Sequence, residues 1–214
     1  MEPRHRYIVV EGPIGVGKTS LTRALSKRFN ARSVFELVEE NPFLASFYQD
    51  RNKHAFQTQL FFLLSRFKQQ QELFQQELFS QVTVSDYLFA KDRIFASITL
   101  DPNELALYER VYEHLGPRVM KPDLVIYLQA RLDVLLARIR KRGREFERKF
   151  DPEYLAELAA SDDRIVADVA AEIGEARGEL VEGFGDGGGA TVHSWGAVGE
   201  AAEGGGDFDG YWHF

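Results

Sequence analysis

Between residues 12 and 19 the chain reads Gly12-Pro13-Ile14-Gly15-Val16-Gly17-Lys18-Thr19, which satisfies G-x-x-x-x-G-K-[ST] throughout. Gly12, Gly15 and Gly17 allow successive backbone N–H groups, that of Val16 among them, to curl around an anion without Cβ obstruction. A helix beginning at Lys18, with Thr19 and Ser20 in its first turn, points its positive dipole end at the same place. Lys18 adds a point charge for the outer phosphates of a nucleoside triphosphate, and the Thr19 hydroxyl is placed to ligate Mg2+. The chemistry expected is phosphate binding. An accidental glycine turn would have to reproduce four fixed positions between a strand and a helix.

A second group of chemistry-bearing residues is basic: Arg138, Arg140, Lys141, Arg142, Arg144, Arg148 and Lys149. A solvated helix C-terminus accounts for such a run through the helix dipole. After the fourth strand of a phosphate-binding sheet, however, it can supply a lid whose arginine forks match the three oxygens of a transferring phosphoryl group. The base-reading Asn-Lys-x-Asp of GTPases is missing, since Asn52-Lys53 continues as His54-Ala55. Phosphoryl transfer to a small molecule is therefore favoured over GTP hydrolysis.

Strands and helices must bring these groups together. Tyr7-Ile8-Val9-Val10 is a β-branched apolar run leading into the glycine loop, as a buried first strand should be. Leu21, Ala24, Leu25 and Phe29 recur at helical spacing behind it. Ser33–Glu36, Val82–Ser85 and Asp123–Leu128 read as the second, third and fourth strands. From His54 to Leu78 there is no Gly or Pro, and Phe56, Leu60, Leu63, Phe67 and Phe74 form one long helical stripe. Further helical patterns cover residues 87–97, 103–116 and 131–142. Strands alternating with helices imply an α/β fold with right-handed crossovers, a parallel sheet flanked by helices.

The bulk numbers agree with such a domain. The 214 residues fit one core of ordinary size, with 44% hydrophobic and 28% charged residues. No apolar run is long enough to span a membrane, and no basic-then-apolar leader opens the chain. The absence of cysteine suits a cytoplasmic protein. A net charge of −7 argues against broad nucleic-acid binding, but it conceals an asymmetry. Residues 1–150 hold 24 Lys and Arg against 18 Asp and Glu, whereas residues 151–214 hold 2 against 15.

Five stretches together resemble the deoxyribonucleoside kinases, and within them the bacterial deoxyguanosine and deoxyadenosine kinases. They are Glu11–Gly15, Glu36–Pro42, Gln59–Arg66, Ser85-Asp86-Tyr87 and Lys141–Arg144, spread over residues 5–158 in the family's order. The resemblance implies the P-loop nucleotide-kinase fold and transfer from ATP to the 5′-hydroxyl of a deoxynucleoside, with purines favoured. Glu36 falls where the family's Glu-Pro-Val motif places its general base, and Asp86 where it places an acid that serves Mg2+ opposite Thr19. Gln59 matches the glutamine that reads the base edge, with Arg66 behind it and Asp92 as the acid paired to that arginine. Tyr48 and Glu147 match the pair that clasps the 3′-hydroxyl. Arg138, Arg142 and Arg144 match the arginines that gather the phosphates. A homodimer formed through helices is implied as well. Two departures stand inside these motifs: Leu37 replaces the Pro of Glu-Pro-Val, and Tyr87 replaces an arginine that many relatives place after the metal-side acid.

A third departure is the C-terminus. The domain is expected to span residues 1–160, followed by an acidic, Gly-rich tail at 161–214. Relatives continue with a fifth apolar strand; here Ala190–His193 is the nearest candidate, which leaves that strand doubtful. Three readings of the tail compete, a disordered appendage, an irregular fold-back and out-of-frame translation, and inspection of the other two reading frames would decide the last. Two rivals to the kinase reading remain. One is a nucleoside monophosphate kinase, which needs more basic groups near residues 43–66 than Arg51, Lys53 and Arg66. The other is a nucleotide-binding protein without turnover.

Overall fold

The computed structural model describes residues 6–76, 82–144, 178–184 and 190–195. Tyr7–Glu11 forms β1, buried along its whole length because both faces are covered. Its alternate residues feed two cores. Ile8 and Val10 pack with Leu25 of helix α1 (Lys18–Phe29) and Val84 of β3 (Thr83–Ser85). Tyr7 and Val9 face Leu73, Tyr87 and Leu88 on the opposite side.

β2 (Arg32–Val34), β3, β1 and β4 (Leu124–Gln129) lie side by side in that order, all parallel, as the strand–helix alternation predicts. The long helical stripe becomes α3 (Arg51–Gln76). Leu63 is fully buried, with Phe56, Leu60 and Phe67 packed around the same core, and the Phe74 side chain lies outside what is described. α2 (Leu44–Phe47), α4 (Lys91–Thr99), α5 (Pro102–Leu115) and α6 (Leu132–Arg142) complete the α-helices among the described residues. Asp101 caps α5 by accepting from the Asn103 and Glu104 amides, while Glu104 reaches back to the Asp101 amide.

Three features depart from the pattern reading for a tertiary reason. β2 stops at Val34 rather than Glu36, because the Glu36 amide donates to the Asp86 carboxylate instead of a strand partner. α4 starts four residues late, at Lys91, because the Leu88 amide is held by the Glu11 carboxylate. The doubted fifth strand is present: β5 (Gly178–Phe184) pairs parallel with β4, and β6 (Ala190–Trp195) pairs antiparallel with β5. Glu179-Leu180-Val181-Glu182 carries little apolar signal, but the open edge of β4 offers a ladder of backbone donors and acceptors to whatever segment returns to it. The remainder of the expected tail, residues 161–177, 185–189 and 196–214, lies outside the described residues.

Candidate active site

β1 delivers the chain into the glycine turn, and the turn's backbone explains its composition. Gly12 adopts φ 144° and Gly17 φ 114°, conformations that L side chains rarely adopt. A Cβ on Gly12 would also lie 2.3 Å from the Leu128 carbonyl oxygen of β4. Gly17 caps α1, so the helix begins at Lys18 as the pattern predicts. Lys18 Nζ donates to the Gly12 and Pro13 carbonyls at 2.6 and 3.3 Å, curled over the loop it serves. Arg138 Nη1 donates to the Val16 carbonyl at 3.0 Å and so ties α6 to the turn.

On the other side of the turn, Thr19 Oγ1 donates to Asp86 Oδ2 at 2.6 Å, and Asp86 Oδ1 accepts from the Glu36 amide at 2.8 Å. The segments just after β2 and β3 are thus locked to the first turn of α1. Burial raises the Asp86 carboxyl above its ordinary pKa, although the Thr19 hydroxyl and the Glu36 amide pull the other way. The Thr19 and Asp86 oxygens form a hard, adjacent donor pair, which fits a cation that takes one or two protein oxygens and keeps its waters.

The polar face of α3 completes the cleft. Gln59 is 4% exposed and Arg66 9%, so both are buried on one side of the helix. Gln59 Nε2 donates to Thr99 Oγ1 at 3.1 Å, and that hydroxyl donates on to the Phe95 carbonyl at 2.7 Å. The Arg66 guanidinium lies 5.0 Å from the Phe62 ring centroid and pairs with both Asp92 and Glu36. Among the described residues its Nε finds no hydrogen-bond partner. Arg66 therefore bridges two carboxylates, where the sequence resemblance gave it only Asp92.

One cleft of about 870 Å3 runs from the glycine turn to this face of α3. Glu36, Tyr48, Gln59, Arg66, Asp86 and Asp92 line it together with Lys18, Thr19, Ser20 and the turn. Of the basic cluster, Arg138, Arg142 and Arg144 line it too, and Arg144 also meets Glu39 at 3.3 Å. Arg140 and Lys141 are exposed to solvent, while Glu147, Arg148 and Lys149 lie outside the described residues.

Sequence reasoning assigned no role to Glu11 and Lys91. Glu11, 1% exposed, accepts from the Gly12 amide at 2.7 Å, the Leu88 amide at 2.9 Å and Lys91 Nζ at 2.8 Å. Burial alone would raise its pKa, but Lys91 and then Lys18 outweigh that and hold the carboxyl below its ordinary value. The available signal was an acid closing an otherwise apolar strand.

A parallel sheet with a phosphate turn after β1, an acid after β3 and arginines along α6 defines a P-loop phosphotransferase. A sequence profile of the deoxynucleoside kinase family matches residues 8–171. The chain is 42% identical to deoxyguanosine kinase of Bacillus subtilis (strain 168) over 153 residues, 71% of this chain and 74% of that one. It is 33% identical to the deoxyadenosine/deoxycytidine kinase of the same organism over 163 residues, 73% of this chain and 74% of its relative. Among solved structures, deoxyadenosine kinase from M. mycoides with the products dCMP and a flexible dCDP bound superposes with a TM-score of 0.71 at 25% identity, covering 84% of this chain and 90% of that one. The chain belongs to the deoxynucleoside kinase family. It is a nucleotide-binding kinase.

Proposed function

We propose that this kinase transfers the γ-phosphoryl group of ATP to the 5′-hydroxyl of a purine deoxynucleoside, deoxyguanosine or deoxyadenosine. The observation that carries the reading is the continuous cleft that joins the phosphate turn to Glu36 and to the buried Gln59–Arg66 face. The triphosphate is held by the amides of Gly15 to Ser20 and by Lys18, with Arg138, Arg142 and Arg144 around the transferring group. Glu36 is the general base: its carboxylate takes the proton of the 5′-hydroxyl as the oxygen attacks in line. Gln59 offers a donor and an acceptor to the base edge, and Arg66, held by Asp92, stands beside it. Tyr48 and Glu147 hold the 3′-hydroxyl. Thr19 and Asp86 would hold Mg2+, which when bound supplies charge neutralisation on the phosphate oxygens.

The name of the Bacillus deoxyguanosine kinase and the buried amide and guanidinium in the acceptor half of the cleft both support the purine reading. The test is phosphorylation of the four deoxynucleosides with Mg·ATP. Deoxyguanosine or deoxyadenosine should give the highest kcat/KM, and a preference for thymidine would overturn the substrate assignment. We further infer a cytoplasmic homodimer formed through helices. The exposed Leu64 on α3 and Leu107 on α5, 47% and 51% accessible, are consistent with a covered helical face.

A further inference from the structure

Beneath the phosphate turn, two ammonium groups compete for one carboxylate. The Gly12 carbonyl accepts from Lys18 Nζ at 2.6 Å and from Lys91 Nζ at 2.9 Å. Glu11 Oε1 is 2.8 Å from Lys91 Nζ and 3.8 Å from Lys18 Nζ. Glu11 links the Gly12 amide to the segment that follows β3, because its other oxygen accepts from the Leu88 amide. A carboxylate so deeply buried requires cationic compensation. Lys91, the first residue of α4 and itself 7% exposed, supplies it from beneath the loop, with the Phe95 ring centroid 5.5 Å from its Nζ.

We propose that Lys91 is a positioning residue for phosphoryl transfer: by satisfying Glu11, it keeps the Lys18 ammonium available to the phosphates. Lys18 carries its charge on a flexible stem, and with Lys91 neutralised it becomes the nearest cation to a buried, uncompensated acid. It is then drawn down to Glu11 and away from the triphosphate. The inference rests on the reading of Lys18 as the phosphate-binding lysine.

Steady-state kinetics on the full chain, with ATP varied at saturating deoxynucleoside, test it with two variants. Lys91→Gln keeps hydrogen-bonding groups for Glu11 and Gly12 but removes the charge. It should raise the KM for ATP by about tenfold or more, an effect of ~1.4 kcal/mol, with the deoxynucleoside KM little changed. Glu11→Gln combined with Lys91→Gln removes the competing anion and should return the ATP KM to near the wild-type value. An unchanged ATP KM in Lys91→Gln overturns the proposal, because a hydrogen-bonding scaffold would survive that substitution. So does a double variant as impaired as the single one. If Lys91→Gln does not fold, the neutral double variant decides alone: an ATP KM near wild type supports the proposal and a large increase overturns it. Failure of the wild-type protein to turn over Mg·ATP is a separate result, which removes the Lys18 reading itself.

Discussion

At the scale of single residues, the site turns on how charges are shared. Arg66 pairs with Glu36 and Asp92 together, so one guanidinium touches both the proposed base and the acid behind the base-reading face. If Glu36 removes the proton, Glu36→Gln keeps the contact to Arg66 but not the basicity. Turnover should then fall by roughly 10²–10⁴-fold, the range for a lost general base, with the deoxynucleoside KM within a few fold. Equal losses in both parameters would sink the assignment. Asp92→Asn addresses the other half of the bridge. Weakening a buried charged hydrogen bond costs on the order of 1.5–3 kcal/mol, so the deoxynucleoside KM should rise by about tenfold or more while the ATP KM stays unchanged. Competition with unlabelled ATP and deoxynucleoside in a binding assay would separate the two effects.

At the scale of elements, the glycine turn and the long helix carry distinct liabilities. Gly12→Ala forces a Cβ to 2.3 Å from the Leu128 carbonyl at a φ of 144°, so the turn must open or β4 must shift. Loss of ATP binding with only partial loss of thermal stability is the expected outcome, readable by calorimetry with and without Mg·ATP. In α3, Leu63→Ala removes a fully buried side chain and should cost about 2–5 kcal/mol in urea unfolding. The acid under the turn sets a pH dependence. Glu11 is held below its ordinary value of 4.5, so its contribution to stability is complete above that pH and is lost as the pH falls through the lowered folded value. Asp86 has the opposite sign: raised in the folded state, it adds nothing to this acid loss. Urea midpoints measured downward from neutral pH should therefore fall below the ordinary glutamate range in the wild type. They should fall less steeply when Glu11 and Lys91 are both glutamine.

At the scale of the whole molecule, the sheet extends beyond the four strands that flank the site. β5 and β6 cover the outer edge of β4, the strand that carries Leu128 against Gly12. A chain truncated before Gly178 leaves that edge open, and exposed ladders invite edge-to-edge association. Truncation should lower Tm by several degrees, at about 2–4 °C per kcal/mol for a chain of this size, and promote aggregation, both visible in scanning fluorimetry with light scattering. Unchanged Tm would mean that residues 178–195 contribute nothing to the folded domain.

The sequence by itself determined the phosphate turn, the helix that starts at Lys18, four strands in parallel α/β order and the α3 stripe, because each is written as a local pattern or period. It also placed Gln59 and Arg66 on one helix face, since residues seven apart on an α-helix return to nearly the same side. Only the tertiary structure decided that Glu11 meets Lys91 across 80 residues and that Arg66 reaches Glu36 across 30. Such pairs leave no periodic trace, and a lysine before Asp92 looks the same on paper whether it faces water or a buried acid. The fifth strand belongs to the same category. Its residues are weak strand formers taken alone, and what recruits them is the unpaired edge of β4, a property of the assembled sheet rather than of the segment.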